Sequence, residues 1–118
     1  IKLFEEAKTR GVQRMIATHP YDVATYPEME LIASTGAYIE FTFLSCMPTK
    51  QTMSPQIMSE QILRLGVEKC LVTTDFGQWT NPPPAEGMRM AVAALLDSGM
   101  SVDDVATLVK HNPKKIIN

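Results

Sequence analysis

The sequence has 118 residues, 45% hydrophobic and 20% charged, a balance that fits one folded domain and argues against a disordered chain. Its 11 basic and 13 acidic residues leave a net charge of −2 and form no basic run, which argues against a nucleic-acid partner. No stretch approaches the roughly 20 apolar residues that span a bilayer, no signal-peptide pattern opens the chain, and two cysteines are too few for a disulfide framework, so a soluble cytoplasmic protein with no membrane partner is expected.

In chain order, Ile1, Phe4 and Ala7 have helical spacing, which Gly11 ends. The helix starts at once and without an initiator Met, so the chain reads as cut from something longer. Val12 to Thr18 is a short apolar run bounded by Gly11 and His19-Pro20, and suits a buried strand. A helix follows at Tyr26-Pro27 and ends before Gly36. Ala37 to Phe43, rich in Tyr, Ile, Phe and Thr, is a second strand. Ser54 caps and Pro55 begins another helix, which Gly66 closes. Lys69 to Thr74 is the third strand. Beyond Asp75 lie a loop with three consecutive prolines and a helix from about Ala85 to Ser98. Two more helices complete the chain: Ser101 with Asp104 makes a carboxylate variant of the capping box for one, and Asn112-Pro113 caps and begins the other.

Strands recur about every 25 to 32 residues with helices between them, the repeat of right-handed βαβ units in a parallel sheet. Such α/β proteins gather ligands at the carboxyl ends of their strands. His19 ends the first strand, in phase with Met15 and Ala17, and Asp75 ends the third, in phase with Leu71 and Thr73. An imidazole and a carboxylate converging there can ligate a divalent metal, whose bound water becomes a nucleophile near neutral pH. The plainer alternative is that His19 is a loop residue before proline and Asp75 a turn or helix cap.

Three stretches together carry a family resemblance: His19 within Ala17-Thr18-His19-Pro20, Asp75 within Leu71-Val72-Thr73-Thr74-Asp75, and Asn112-Pro113-Lys114-Lys115-Ile116-Ile117. In order and spacing they resemble the last third of the amidohydrolase superfamily, metal-dependent hydrolases on a (β/α)8 barrel. In that family a His ends strand six, an Asp ends strand eight and an Asn-Pro motif opens the last helix. The resemblance implies an α/β fold comprising the C-terminal three β/α units, strands six to eight, of a TIM-barrel hydrolase, with residues 1–118 as one partial barrel domain. Asp75 would be a metal ligand and the catalytic base for the attacking water; His19 would be a metal ligand or a contact to the substrate. The cofactor implied is a divalent metal, zinc foremost, with an incomplete ligand set, because the His-x-His pair of strand one and the ligands of strands four and five belong to strands that this chain lacks. The substrate would be a small molecule with an amide, ester, lactone or phosphoester bond. The loop after Asp75 looks like that of an uncharacterised branch.

Other polar residues are weighed in the same way. Glu40 lies mid-strand in line with Tyr38 and Thr42, as a substrate contact or as half of a buried ion pair. Gln78, Trp79 and Asn81 lie in the loop after the third strand, where barrels keep substrate contacts, or are plain surface. His111 is expected at a helix C-terminus and not as a ligand. Cys46 and Cys70, at opposite ends of adjacent strands, are expected as free thiols. Two other readings stay open: a non-catalytic open-sheet binding or regulatory domain, and a degenerate barrel without metals. In the fragment reading the outer strands and the face of Met15, Ala17, Tyr38, Thr42, Leu71 and Thr73 lack cover, so a homo-oligomer or a companion fragment carrying the missing strands is expected.

Overall fold

Turn chemistry sets most element boundaries. A computed structural model describes all residues, 1–118. It begins with α1 (Lys2–Thr9), which packs Phe4 and Ala7 on the core before Gly11 reverses the chain at φ 82°. Strand β1 (Ile16–Thr18) leads through a 3₁₀ turn, Pro20–Asp22, to α2 (Tyr26–Ser34). At the start of α2 the backbone N–H of Thr25 donates to Glu28 Oε2 at 2.7 Å, the carboxylate half of a capping box. Glu28 is thereby held below the usual carboxylate range, first by that backbone bond and then by the Thr25 hydroxyl. Strand β2 (Tyr38–Thr42) passes into a 3₁₀ turn at Phe43–Cys46. Helix α3 (Pro55–Leu65) starts as expected, with Ser54 Oγ accepting from the Ile57 N–H at 3.2 Å, and ends on Gly66. Strand β3 (Cys70–Thr73), α4 (Pro84–Asp97), α5 (Val102–Ala106) and α6 (Asn112–Ile117) follow. No helix is long and apolar enough to cross a membrane.

The three strands form one open sheet in the order β1-β2-β3, all parallel. Ala17 stands beside Ile39 and Ile39 beside Cys70, so these residues, with Phe41 and Val72, share one face. That face supplies the strand residues of a 20-residue core that also takes Met29 and Ile32 from α2, Met58 and Ile62 from α3, and Leu95 from α4. The other face contributes nothing to this cluster. Ile16 there is 41% exposed and Thr18 is exposed, although Thr42 and Leu71 are buried.

Three expectations need correction. The first strand is three residues long and not seven, because an edge strand with one neighbour is fixed only where β2 runs beside it. Met15 and Ala17 belong to the covered face and not with Tyr38, Thr42, Leu71 and Thr73. Alternation along a strand defines two faces; only the register with a neighbour says which faces match.

The third correction concerns the last helices. Asn112 does not cap a helix: its backbone is helical, at φ −66° and ψ −47°, and the chain runs from α5 through a π-helical turn, Thr107–His111, straight into α6. Pro113 has no N–H to give an intrahelical bond, and the widened turn just before it is where a helix accommodates such a residue. The Asn112 side chain, fully buried, donates instead to the Val67 and Cys70 carbonyls, each at 2.8 Å. It pins this helix to the start of β3. His111 accordingly lies in mid-helix, exposed, and not at a C-terminus.

Candidate functional site

Because the strands are parallel, the loops after β1, β2 and β3 all leave from one edge of the sheet, here the carboxyl edge. Each of these loops contains one non-glycine residue in the left-handed backbone region: His19 at φ 34°, Gln51 at 46° and Asp75 at 56°. Such conformations are uncommon and concentrate where side chains are held for use.

The β1 loop is anchored on β2. The His19 N–H donates to the Glu40 carbonyl at 3.0 Å. The Tyr21 ring stacks on Phe41 at 5.3 Å, and its hydroxyl accepts from the Thr42 N–H at 3.0 Å and pairs with Ser45 Oγ at 2.6 Å. Beyond it, Asp22 Oδ2 receives Lys50 Nζ from the β2 loop at 2.6 Å and lies 3.3 Å from His19 Nδ1. The Lys50 ammonium is pushed above the usual lysine value, first by that bond, with Asp75 adding to it. Asp22 and Lys50 thus join the candidate edge, although neither stood out in the sequence. A carboxylate three residues after His19, across a proline, was the available signal for Asp22; Lys50 is 28 residues farther on and had none.

The β3 loop is held by its own polar side chains. Gln78 Nε2 donates to the Asp75 carbonyl at 3.2 Å, Gln78 Oε1 accepts from Asn81 Nδ2 at 2.7 Å, and Thr49 Oγ1 donates to Asn81 Oδ1 at 3.4 Å. Gln78 and Asn81 therefore build the turn that follows Asp75. Trp79 is 95% exposed, its indole packed on nothing. Behind the turn Phe76 enters the core, and Gly87 of α4 passes so close that an added Cβ would lie 2.4 Å from its ring. Glu40 lies half-buried on the uncovered face, and its carboxylate enters no ion pair or hydrogen bond. The buried ion pair expected for it is absent; solvent on the open face serves that charge.

His19 and Asp75 thus stand at the same edge, on the two outer strands with β2 between, a separation of about 10 Å at the usual strand spacing. No three His, Cys, Asp or Glu side chains come close enough to hold a metal together. Lys50 already places a cation beside Asp22. As they stand, these residues do not make up a metal site. Cys46 and Cys70 are free thiols, pushed by burial up to about 11 and about 12, so neither is a nucleophile near neutral pH. A hollow of about 360 Å³ beside Cys46 and Met53, and a groove of about 520 Å³ along Met88, Val92 and Leu96, touch neither His19 nor Asp75. Comparison with protein-family models, with curated proteins and with solved structures finds no match for the chain.

Proposed function

We propose that the chain is the C-terminal three β/α units of a (β/α)8-barrel hydrolase, and that the parent cleaves an amide, ester, lactone or phosphoester bond of a small molecule with metal-activated water. What a bound metal, zinc foremost, supplies in such enzymes is a water acidic enough to act as hydroxide near neutral pH. The observation that carries the reading is the placement of His19 and Asp75 at the carboxyl ends of parallel outer strands, one strand apart, each in a left-handed turn. Asp75 is the proposed catalytic base and, with His19, a donor toward the metal. Glu40 on the open face and Trp79 at the loop tip are the proposed substrate contacts, with Gln78 and Asn81 shaping the loop between them. The free outer edges of β1 and β3 fit pairing with further strands, either of a companion segment or of a second copy.

Two donors fall short of the three that catalytic zinc sites normally have, so the chain alone is expected to bind zinc weakly and to hydrolyse nothing. Calorimetry tests this. Tight stoichiometric zinc binding by the 118-residue chain, abolished by Asp75→Ala, would make the site local and overturn the fragment reading. A parent sequence without a strand-end His-x-His pair about 150 residues upstream, in a barrel of about 250, would overturn the metal assignment.

A second reading is favoured by one observation, the Lys50 ammonium beside Asp22. It is a metal-free α/β binding domain whose edge charges are internally neutralised. A cooperative melt of a monomer by light scattering, with no zinc effect on any residue of the edge, would establish it in place of the first.

A further inference from the structure

The two outer strands do not leave equally open edges. In a parallel pair, alternate residues of a strand turn both backbone groups toward the neighbour, and the residues between turn theirs away. The Tyr38 N–H donates to the Met15 carbonyl at 2.9 Å and the His19 N–H to the Glu40 carbonyl at 3.0 Å, so the odd-numbered residues of β1 serve β2. The N–H and C=O groups of Ile16 and Thr18 therefore point outward, and no turn or loop hydrogen bond reaches them. On β3 the same alternation turns Cys70 and Val72 outward, but the Cys70 carbonyl already takes the Asn112 amide at 2.8 Å. The open edge is that of β1. Along it, on the covered side of the sheet, runs a groove of about 380 Å³ walled by Ile1 and Phe4 of α1, Val23 and Ala24 of the following loop and Ile32 of α2. Val23 there is 93% exposed, and the one carboxylate in the groove, that of Glu28, is already bound by Thr25.

We propose that a second copy of the chain docks on this edge, by antiparallel pairing of β1 with β1 about a two-fold axis at Ala17. The outward groups suit that partner. Ile16 and Thr18 flank Ala17, so the rotation sets Ile16 opposite Thr18 of the second copy, and each such pair exchanges both of its N–H···O bonds. Every outward group of the two strands is then used. Ala17 meets its own copy at the closer, non-hydrogen-bonded position, where a small side chain fits. The arrangement is isologous and stops at two, whereas β1 against β3 would run on as an open fibre and would find the Cys70 carbonyl taken. A stable interface takes about 800 Å² from each partner, roughly an eighth of the 6860 Å² that this chain exposes. A three-residue edge approaches that only with the apolar walls of the groove, so the dimer is a reversible one. The inference sharpens the free-edge part of the proposed function and shares nothing with its chemistry, so zinc calorimetry can fail while the dimer stands, and the reverse.

Sedimentation equilibrium of the full 118-residue chain over the micromolar range is the first test, with a reversible dimer expected. Val23→Lys, on a side chain too exposed to matter for folding, should weaken dimerisation at least tenfold. Leu96→Lys, on the separate apolar groove of α4, should leave it unchanged. Oxidative cross-linking then reads the register, with the wild-type chain and its native thiols Cys46 and Cys70 as the baseline. Ala17→Cys should form a disulfide-linked dimer, because its α-carbon lies about 4.5 Å from its copy. Ile16→Cys and Thr18→Cys should not, because each is set diagonally at roughly 8 Å, beyond the reach of about 7 Å that a disulfide tolerates. A chain that stays monomeric at all concentrations overturns the proposal and leaves the edge to a companion strand. So do growth beyond the dimer, a dimer broken by Leu96→Lys and not by Val23→Lys, and cross-linking at Ile16 or Thr18 in preference to Ala17.

Discussion

The two edges of the sheet are built from opposite materials. At the amino edge the chain enters β1, β2 and β3 after Gly11, Gly36 and Gly66, at φ 82°, 95° and 101°. At the carboxyl edge it leaves through His19, Gln51 and Asp75, also at positive φ but with side chains. An L-residue in the left-handed region costs roughly 1–2 kcal/mol that glycine avoids. The amino edge therefore turns the chain without strain and adds a buried amide lock at Asn112, whereas the carboxyl edge accepts strain and presents charged and polar groups. One edge serves stability, and the other gives some of it up to place side chains.

The sharpest way to break this contrast is Asn112→Ala. It removes both hydrogen bonds to the Val67 and Cys70 carbonyls in a fully buried position, and should cost about 2–4 kcal/mol in a denaturant melt. A loss below about 1 kcal/mol would mean that the amino edge is not locked there.

Gly87→Ala comes next. Its Cβ would meet the Phe76 ring at 2.4 Å, and the overpacking should cost about 1–3 kcal/mol. Since Phe76 follows Asp75, the loop amides at Gly77 and Gln78 should shift in NMR spectra while those around Gly36 stay still.

The strain itself is tested by a reciprocal pair. Gly36 has nothing within 4 Å of an added Cβ, so Gly36→Ala should cost about 1–2 kcal/mol from backbone conformation alone. Gln51→Gly should do the reverse and stabilise the chain by about 0.5 kcal/mol, the relief of strain less the extra chain entropy of glycine. Equal and small changes at both sites would erase the distinction between the edges.

The smallest expected effect is that of the Lys50–Asp22 pair, up to about 1 kcal/mol for partly exposed partners. Because the Lys50 pKa is raised in the folded chain, this stability is complete below the ordinary value of 10.5 and is lost as the pH rises through the folded value above it. Lys50→Met should therefore lower the melting temperature slightly at pH 8 and not at all at the alkaline extreme. A deficit that persists at high pH would point to lost packing and not lost charge.

Much of this could be read in the sequence, wherever local chemistry decides. Gly36 and Gly66 ended helices, Ser54-Pro55 and Ser101 began them, and the strand spacing implied a parallel sheet that brings His19 and Asp75 to one edge. What depends on distant partners was not legible. The phase of Ala17 against Ile39, the bond from Lys50 to Asp22 and the burial of Asn112 under β3 are all set by neighbours at least 20 residues away. Asn112 shows the limit most plainly. Asn-Pro reads as a helix start, and a buried amide in mid-helix becomes reasonable only once the carbonyls it meets are known.

That amide also bears on vectorial synthesis. The Val67 and Cys70 carbonyls are made 45 and 42 residues before the side chain that satisfies them. At ribosomal rates of about 5–20 residues per second, β3 waits about 2–9 s for Asn112. Through that interval the Val67 carbonyl keeps only its local bond from the Cys70 N–H, and the Asn112 amide that joins both carbonyls is missing, so nascent chains arrested before Asn112 should be more protease-sensitive at Val67–Cys70 than chains arrested far enough beyond it for Asn112 to have left the ribosome.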